Sequence, residues 1–157
     1  MKKNTTTPLK WLTGTTLVLG ITYLLMVGCQ TCGYFFGYPV AQPAVWIEDI
    51  KVLQGAIAIF RFLGALTLFG LIITFLFNSI KALNDGILFP KRNVAILFAT
   101  AAVSFVFLFC NSNMHIVLGK RQIQLEFTEI LVPVIISAFA IIYKVAVRVS
   151  EENSLTI

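Results

Sequence analysis

Residues 57–77 read IAIFRFLGALTLFGLIITFLF and contain one charged residue, Arg61. A helix rises 1.5 Å per residue, so a run of this length crosses a hydrocarbon core about 30 Å thick. Three more apolar runs of similar length lie at Trp11–Val27, Val94–Cys110 and Ile130–Val147. The chain is therefore predicted to be an all-α, polytopic membrane protein. Its four transmembrane helices, at about 11–28, 55–77, 93–111 and 129–148, would form an antiparallel bundle.

The composition excludes a soluble globule. Of the 157 residues, 58% are hydrophobic and only 12% are charged, which is too little charge to cover a water-exposed surface. The segments outside the four runs are short. We predict a single domain over residues 1–157, with the lipid bilayer as its surroundings.

The twelve Lys and Arg residues predict the topology rather than a nucleic-acid site. They are spread over helix ends instead of forming a basic stripe interleaved with aromatic residues, so no direct nucleic-acid binding is expected. Eight fall on one predicted side: Lys2, Lys3, Lys10, Lys81, Lys91, Arg92, Lys144 and Arg148. By the positive-inside rule both termini and the 78–93 loop are cytoplasmic, and the loops at 30–54 and 111–128 are outside.

The end of the first span has two interpretations. A basic start followed by an apolar core also describes a secretory signal, and residues 26–29, MVGC, resemble a lipoprotein processing site at which Cys29 would be lipidated. An uncleaved helix ending near Gly28 is favoured because further spans follow it. Beyond it, the pattern over residues 44–54 indicates a short interfacial helix or an extension of the second span.

Arg61 is the one strong charge well inside an apolar run. Its side chain is expected to extend to the outer headgroups, and the alternative is that it faces the bundle. In the second case its predicted partners are the outer carboxylates Glu48, Asp49, Glu126 and Glu129.

Cys29 and Cys32 form a C-x-x-C at the outer end of the first span, and Cys110 ends the third. A membrane thiol–disulfide oxidoreductase using these three cysteines is the alternative enzymatic interpretation. Such enzymes relay electrons through a second cysteine pair, and a helix C-terminus disfavours the reactive thiolate. A structural disulfide or unpaired thiols are therefore favoured.

The sequence lacks the residue patterns of metal sites, phosphate-binding loops and hydrolase active sites. His115 is the single histidine and is predicted to be a solvated loop residue, so neither a metal site nor a cofactor is expected. No Gly-rich phosphate loop or Ser-His-Asp spacing occurs. With four spans and no internal repeat, a transport pathway would have to form in an oligomer.

Two predicted cytoplasmic segments carry a family resemblance. Residues 83–93, LNDGILFPKRN, resemble the pattern of a short turn, Phe, a small residue, Asn and then a helix. The tail at 148–157, RVSEENSLTI, resembles an ending of an acidic residue, Asn, any residue, Leu, Thr and a terminal aliphatic residue. Both patterns are those of an uncharacterised bacterial membrane family, domain-of-unknown-function family 2975. Pro90 departs from the pattern, in which Thr or Ser follows the Phe.

The resemblance implies a bacterial inner-membrane protein often encoded beside a small helix-turn-helix regulator, and no known biochemical activity. We therefore expect a non-enzymatic protein that binds a cytosolic partner such as this transcriptional regulator. The expected contact residues are Asn84, Asp85, Phe89 and Asn93 in the loop and Glu152, Asn153, Leu155, Thr156 and Ile157 in the tail. The tail is expected to leave the fourth helix after Arg148 and to end as an extended apolar tip.

Overall fold

The computed structural model describes residues 6–37 and 42–154, and it is all-helical. Its helices are α1 (Thr7–Phe36), α2 (Lys51–Asn84), α3 (Arg92–Ser112), the short α4 (Met114–Val117) and α5 (Phe127–Ser154), with a 3₁₀ turn at Glu48–Ile50. Four of them, α1, α2, α3 and α5, are long and apolar enough to cross a membrane. The predicted all-α fold with four membrane-spanning helices is confirmed.

Helix α1 is longer than predicted. It continues through the C-x-x-C to Phe36 and ends at Gly37, whose left-handed backbone (φ 71°) lets its N–H donate to the Gly33 carbonyl at 3.0 Å. The predicted end at Gly28 is wrong because a glycine inside an apolar helix that packs on a neighbour is tolerated. Gly28 faces the Phe62 ring of α2. A glycine ends a helix where the chain turns into the left-handed region, and that position is Gly37.

Helix α2 begins directly after the 3₁₀ turn at Glu48–Ile50, so the predicted extension of the second span is the correct alternative. At its other end a tight turn leads into α3. Gly86 takes a left-handed conformation (φ 81°), and the Ile87 N–H donates to the Ala82 carbonyl at 2.8 Å. This turn makes α2 and α3 antiparallel neighbours.

Each long helix packs against the next one along the chain: α1 on α2, α2 on α3, and α3 on α5. The α2–α3 crossing is close because Gly64 lies against Phe107, where an added Cβ would be 3.3 Å from the Phe107 Cα. Edge-on aromatic contacts also join helices that are not consecutive: Tyr23 of α1 with Phe107 of α3, and Phe75 of α2 with Tyr143 of α5. Over residues 6–37 and 42–154 the backbones of α1 and α5 do not contact each other. Thus α2 and α3 form the centre of the bundle.

The outward faces of the long helices are apolar. Trp11, Val18 and Leu25 of α1 and Phe139 and Ile142 of α5 are all more than half exposed. Exposure of so many apolar side chains to water would be unfavourable, whereas lipid tails are as apolar as these side chains. The multi-pass membrane architecture therefore follows from both the helix lengths and their surfaces.

The connections at the end opposite the α2–α3 turn form an ordered layer, here called the loop cap (residues 42–50 and 113–126). The Val45 N–H donates to the Val117 carbonyl at 3.0 Å, and Arg121 lies 3.6 Å from Asp49. Beneath the cap is a buried cluster formed by Ile57, Ala58, Cys110, Ile116 and Val117. The cap is part of the packed protein rather than a free loop.

Candidate functional site

Arg61 joins three helices at the loop-cap end of the bundle. It is 8% exposed, so its guanidinium is taken out of contact with solvent. Its Nε donates to Asn111 Oδ1 of α3 and its Nη1 donates to Gln30 Oε1 of α1, each at 3.0 Å. The guanidinium presents its N–H groups in a rigid fork, so the two contacts fix the spacing of α1, α2 and α3 around it.

The favoured expectation that Arg61 extends to the outer headgroups is wrong, since the side chain faces the bundle as in the alternative, and the predicted carboxylate partners are also wrong. Within the described part of the chain both hydrogen-bond partners are neutral amides. None of the four expected partners, Glu48, Asp49, Glu126 and Glu129, forms an ion pair with it there. Amide oxygens accept hydrogen bonds from the guanidinium without cancelling its charge. The site therefore keeps a buried positive charge.

Gln54 is a second buried polar residue, in the first turn of α2. Its Oε1 accepts from the Ile47 N–H at 2.9 Å, and its Nε2 donates to the Val45 and Ile116 carbonyls, both at 2.8 Å. A glutamine amide can donate and accept at once, which suits a position facing both kinds of backbone group. Gln54 thus ties both segments of the loop cap to the top of α2.

Asn113 and His115 hold the second cap segment. The Asn113 amide donates to the Gln124 carbonyl at 2.7 Å and accepts from the Gln124 N–H at 2.8 Å. The His115 ring lies between the Ser112 and Gln122 carbonyls, at 2.8 and 2.7 Å. His115 is therefore half-buried and in contact with the cap backbone, whereas a solvated loop residue was predicted.

Glu129, at the start of α5, is almost fully buried beside α3. One carboxylate oxygen accepts a hydrogen bond from the Ser112 hydroxyl, and the other has no hydrogen-bond partner among the described residues. Asn111 and Ser112 are consecutive, so α3 connects the Arg61 contacts to Glu129. The described side chains contain no group of three or more metal-binding residues. Together these hydrogen bonds hold α1, α2, α3 and α5 to one another at the loop-cap end of the bundle.

The three cysteines differ in their surroundings. Cys29 and Cys32 are exposed on the last turns of α1, and Cys110 is buried in the cluster under the loop cap. Because Cys110 is enclosed, thiol exchange through it would require the cap to open. The C-x-x-C also stands inside a continuous helix. The redox alternative therefore gains no support from this arrangement and stays a prediction.

The α2–α3 turn holds the predicted partner-binding loop residues. Asn84 and Asp85 are exposed, and the Phe89 ring packs edge-on against Tyr143 of α5 with centroids 5.5 Å apart. Between them Ile87 and Leu88 are 51% and 65% exposed. The turn thus presents apolar side chains as well as the polar ones expected.

Asn93 does not belong to this exposed surface. It is fully buried, and its amide donates to the Ser79 hydroxyl at 2.9 Å. The prediction that Asn93 binds a partner is wrong for that reason. Instead, Asn93 holds the first turn of α3 against α2.

The predicted extended tail also differs from the structure. Helix α5 continues to Ser154 rather than ending at Arg148, because the residues after Arg148 include good helix formers. Glu152 is exposed on this helix, and Lys91 lies 3.9 Å from Glu151. Leu155, Thr156 and Ile157, and the side chain of Asn153, lie outside the described residues.

The sequence reasoning missed four polar residues that make side-chain contacts here: Gln54 and Asn113, which are buried, and Gln30 and Asn111, which accept hydrogen bonds from Arg61. All of them flank the apolar runs, where polar residues ordinarily indicate solvated loops. Their spacing gave a weak signal, since each falls within one or two turns of a predicted span end. Only the packing of the helices shows that these ends are enclosed.

Comparisons of the chain with models of protein families, with curated proteins and with solved structures return no match.

Proposed function

We propose that this is a non-enzymatic protein of the bacterial inner membrane that binds a cytosolic partner through the α2–α3 turn and the adjacent end of α5. The observation that carries the proposal is a run of three consecutive exposed apolar side chains, Ile87, Leu88 and Phe89, on an ordered turn. By the positive-inside prediction this turn lies on the cytoplasmic side. Exposed apolar side chains held together are typical of interaction sites.

The rigidity of the turn supports this function. Three backbone hydrogen bonds close it, from the N–H groups of Asp85, Gly86 and Ile87 to the carbonyls of Lys81, Leu83 and Ala82 respectively. A surface that is ordered before binding loses less conformational entropy when a partner docks. The Phe89 ring is further fixed by Tyr143, so the apolar side chains are presented in one geometry.

Charge around the turn supports a partner with mixed polarity. Asp85 and Lys91 flank the apolar residues and are exposed, and Lys91 in turn pairs with Glu151 of α5. An apolar centre with a polar rim is the usual anatomy of a protein interface. The partner we propose is a small helix-turn-helix regulator, on the basis of the resemblance of residues 83–93 and 148–157 described above.

The test is affinity capture of the protein, tagged at its N-terminus, from bacterial membranes in mild detergent. Ile87→Ser/Leu88→Ser replaces two of the three exposed apolar side chains and leaves the backbone hydrogen bonds of the turn in place. Val52→Ser/Leu53→Ser is the matched control, because this exposed apolar pair lies at the other end of α2. A third variant lacks residues 152–157.

We expect the double variant in the turn to reduce capture of a cytosolic protein about tenfold or more, since burying even one such side chain is worth about 1.5–3 kcal/mol. The control should capture as much as the native protein. Loss in the truncated variant would extend the binding surface to the tail. Equal capture by the native protein and the turn variant, both inserted in the membrane, would reject the proposal.

A further inference from the structure

A groove of about 870 Å³ runs between α3 and α5 at the α2–α3 turn end of the bundle. Its floor is apolar and is formed by Val94 and Phe98 of α3 with Ile141 and Val145 of α5. Its mouth is charged. The groove therefore has an apolar floor and a charged mouth, which match the two parts of an amphipathic ligand.

The groove continues along the seam between the two helices. A second cavity of about 480 Å³, lined by apolar residues that include Ala102 and Pro133, shares Phe98 with the first. From Lys91 to Phe105 the α3 side of the two cavities extends about 21 Å at 1.5 Å per residue. That length exceeds one leaflet, which is half of a hydrocarbon core about 30 Å thick.

The mouth of the groove is basic. Among the residues that the structure describes, Lys91, Lys144 and Arg148 line it together with a single carboxylate, Glu151. Lys144 and Arg148 are four residues apart on α5, so they project from the same face of the helix. Three cations against one anion leave a positive mouth directly above an apolar channel.

We propose that this groove binds an anionic phospholipid, with the phosphate at Lys144 and Arg148 and an acyl chain along the α3–α5 seam. Basic pockets between transmembrane helices on the cytoplasmic side are suited to anionic headgroups. The charge of the mouth selects an anion, and the seam is long enough for an acyl chain that reaches the middle of the bilayer. A soluble anion would use the mouth alone and leave the apolar channel unexplained.

The experiment is native mass spectrometry of the purified full-length protein in detergent, titrated with phosphatidylglycerol or with phosphatidylcholine of the same acyl chains. The test variant is Lys144→Gln/Arg148→Gln. Lys10→Gln/Lys81→Gln is the matched control, because it removes the same charge from exposed residues at the same end of the bundle but outside the groove. Ala95→Phe, which places a ring in the groove without changing charge, tests the apolar part separately.

We expect the native protein and the control to hold phosphatidylglycerol about 25-fold more tightly than phosphatidylcholine, at roughly fivefold for each of the two cations. The Lys144→Gln/Arg148→Gln variant should lose this preference. Ala95→Phe should weaken binding of both lipids. Circular dichroism of each variant checks that it remains helical. If the double variant does not fold, Ala95→Phe and the single variants Lys144→Gln and Arg148→Gln still test the proposal.

Three results would overturn the proposal. Equal retention of the two lipids by the native protein would show that the charge selects nothing. Displacement of phosphatidylglycerol by inorganic phosphate at equal concentration would identify an anion site without a lipid chain. A second copy of the chain, or another protein, occupying the groove in place of lipid would assign it to a protein interface.

Discussion

Replacing Gln54 with alanine should destabilise the folded protein strongly, although the residue is neutral and lies at a helix end. Its side chain is fully buried and makes three hydrogen bonds to backbone groups at 2.8–2.9 Å. At about 1 kcal/mol of net stabilisation for each bond, the loss is about 3 kcal/mol. The Ile47 N–H and the two carbonyls would then be left without this partner, so we expect a total of about 3–5 kcal/mol.

The assay is unfolding of the purified protein in mixed micelles by increasing SDS, followed by circular dichroism, with the free energy of unfolding as the readout. Gln122→Ala is the control, because the Gln122 side chain is exposed. It should change the free energy of unfolding by less than about 0.5 kcal/mol.

Gln54→Glu is a sharper test because the glutamate side chain has nearly the same shape as glutamine and differs in its hydrogen-bonding groups. The carboxylate can still accept from the Ile47 N–H, but it places an acceptor oxygen where Nε2 donated to the Val45 and Ile116 carbonyls. The cost should be at least that of Gln54→Ala. If either Gln54 variant unfolds within about 0.5 kcal/mol of the native protein, Gln54 does not hold the loop cap and the reasoning is refuted.

Two further substitutions test the helix packing. Arg61→Lys keeps the charge but loses the planar fork that contacts α1 and α3, so it should lower the free energy of unfolding by about 1–3 kcal/mol in the same assay; an unchanged value would show that the charge alone matters. Gly64→Val should cost about 1–3 kcal/mol through its clash with Phe107, whereas Gly70→Val, with open space around it, should be tolerated. Equal effects of the two glycine variants would contradict the close α2–α3 crossing.

Much of the fold could be predicted because the length and hydrophobicity of each apolar run are sufficient to identify a membrane-spanning helix. Residues 57–77 are long enough and apolar enough to cross a bilayer whatever their neighbours are, and the structure places a membrane-length helix there. The same reasoning located the other three spans. It failed at Gly28, where a local helix-breaking tendency was weaker than the packing of α1 on α2.

The candidate sites were less predictable because they depend on which helices meet. Arg61 was identified as an unusual intramembrane charge, but its amide partners come from residues 31 and 50 positions away in the sequence. Asn93 was placed on the wrong surface, since a polar residue next to a turn looks the same in sequence whether it faces solvent or α2.

The sequence by itself determined that this chain is a four-helix membrane protein, because hydrophobicity and helix length are local properties set by consecutive residues. Only the tertiary structure decided which polar residues are enclosed and which charges gather at the mouth of the α3–α5 groove. Those outcomes depend on the register and rotation of one helix against another. Register and rotation are set by close contacts such as that of Gly64 with Phe107, and no single stretch of sequence contains both partners.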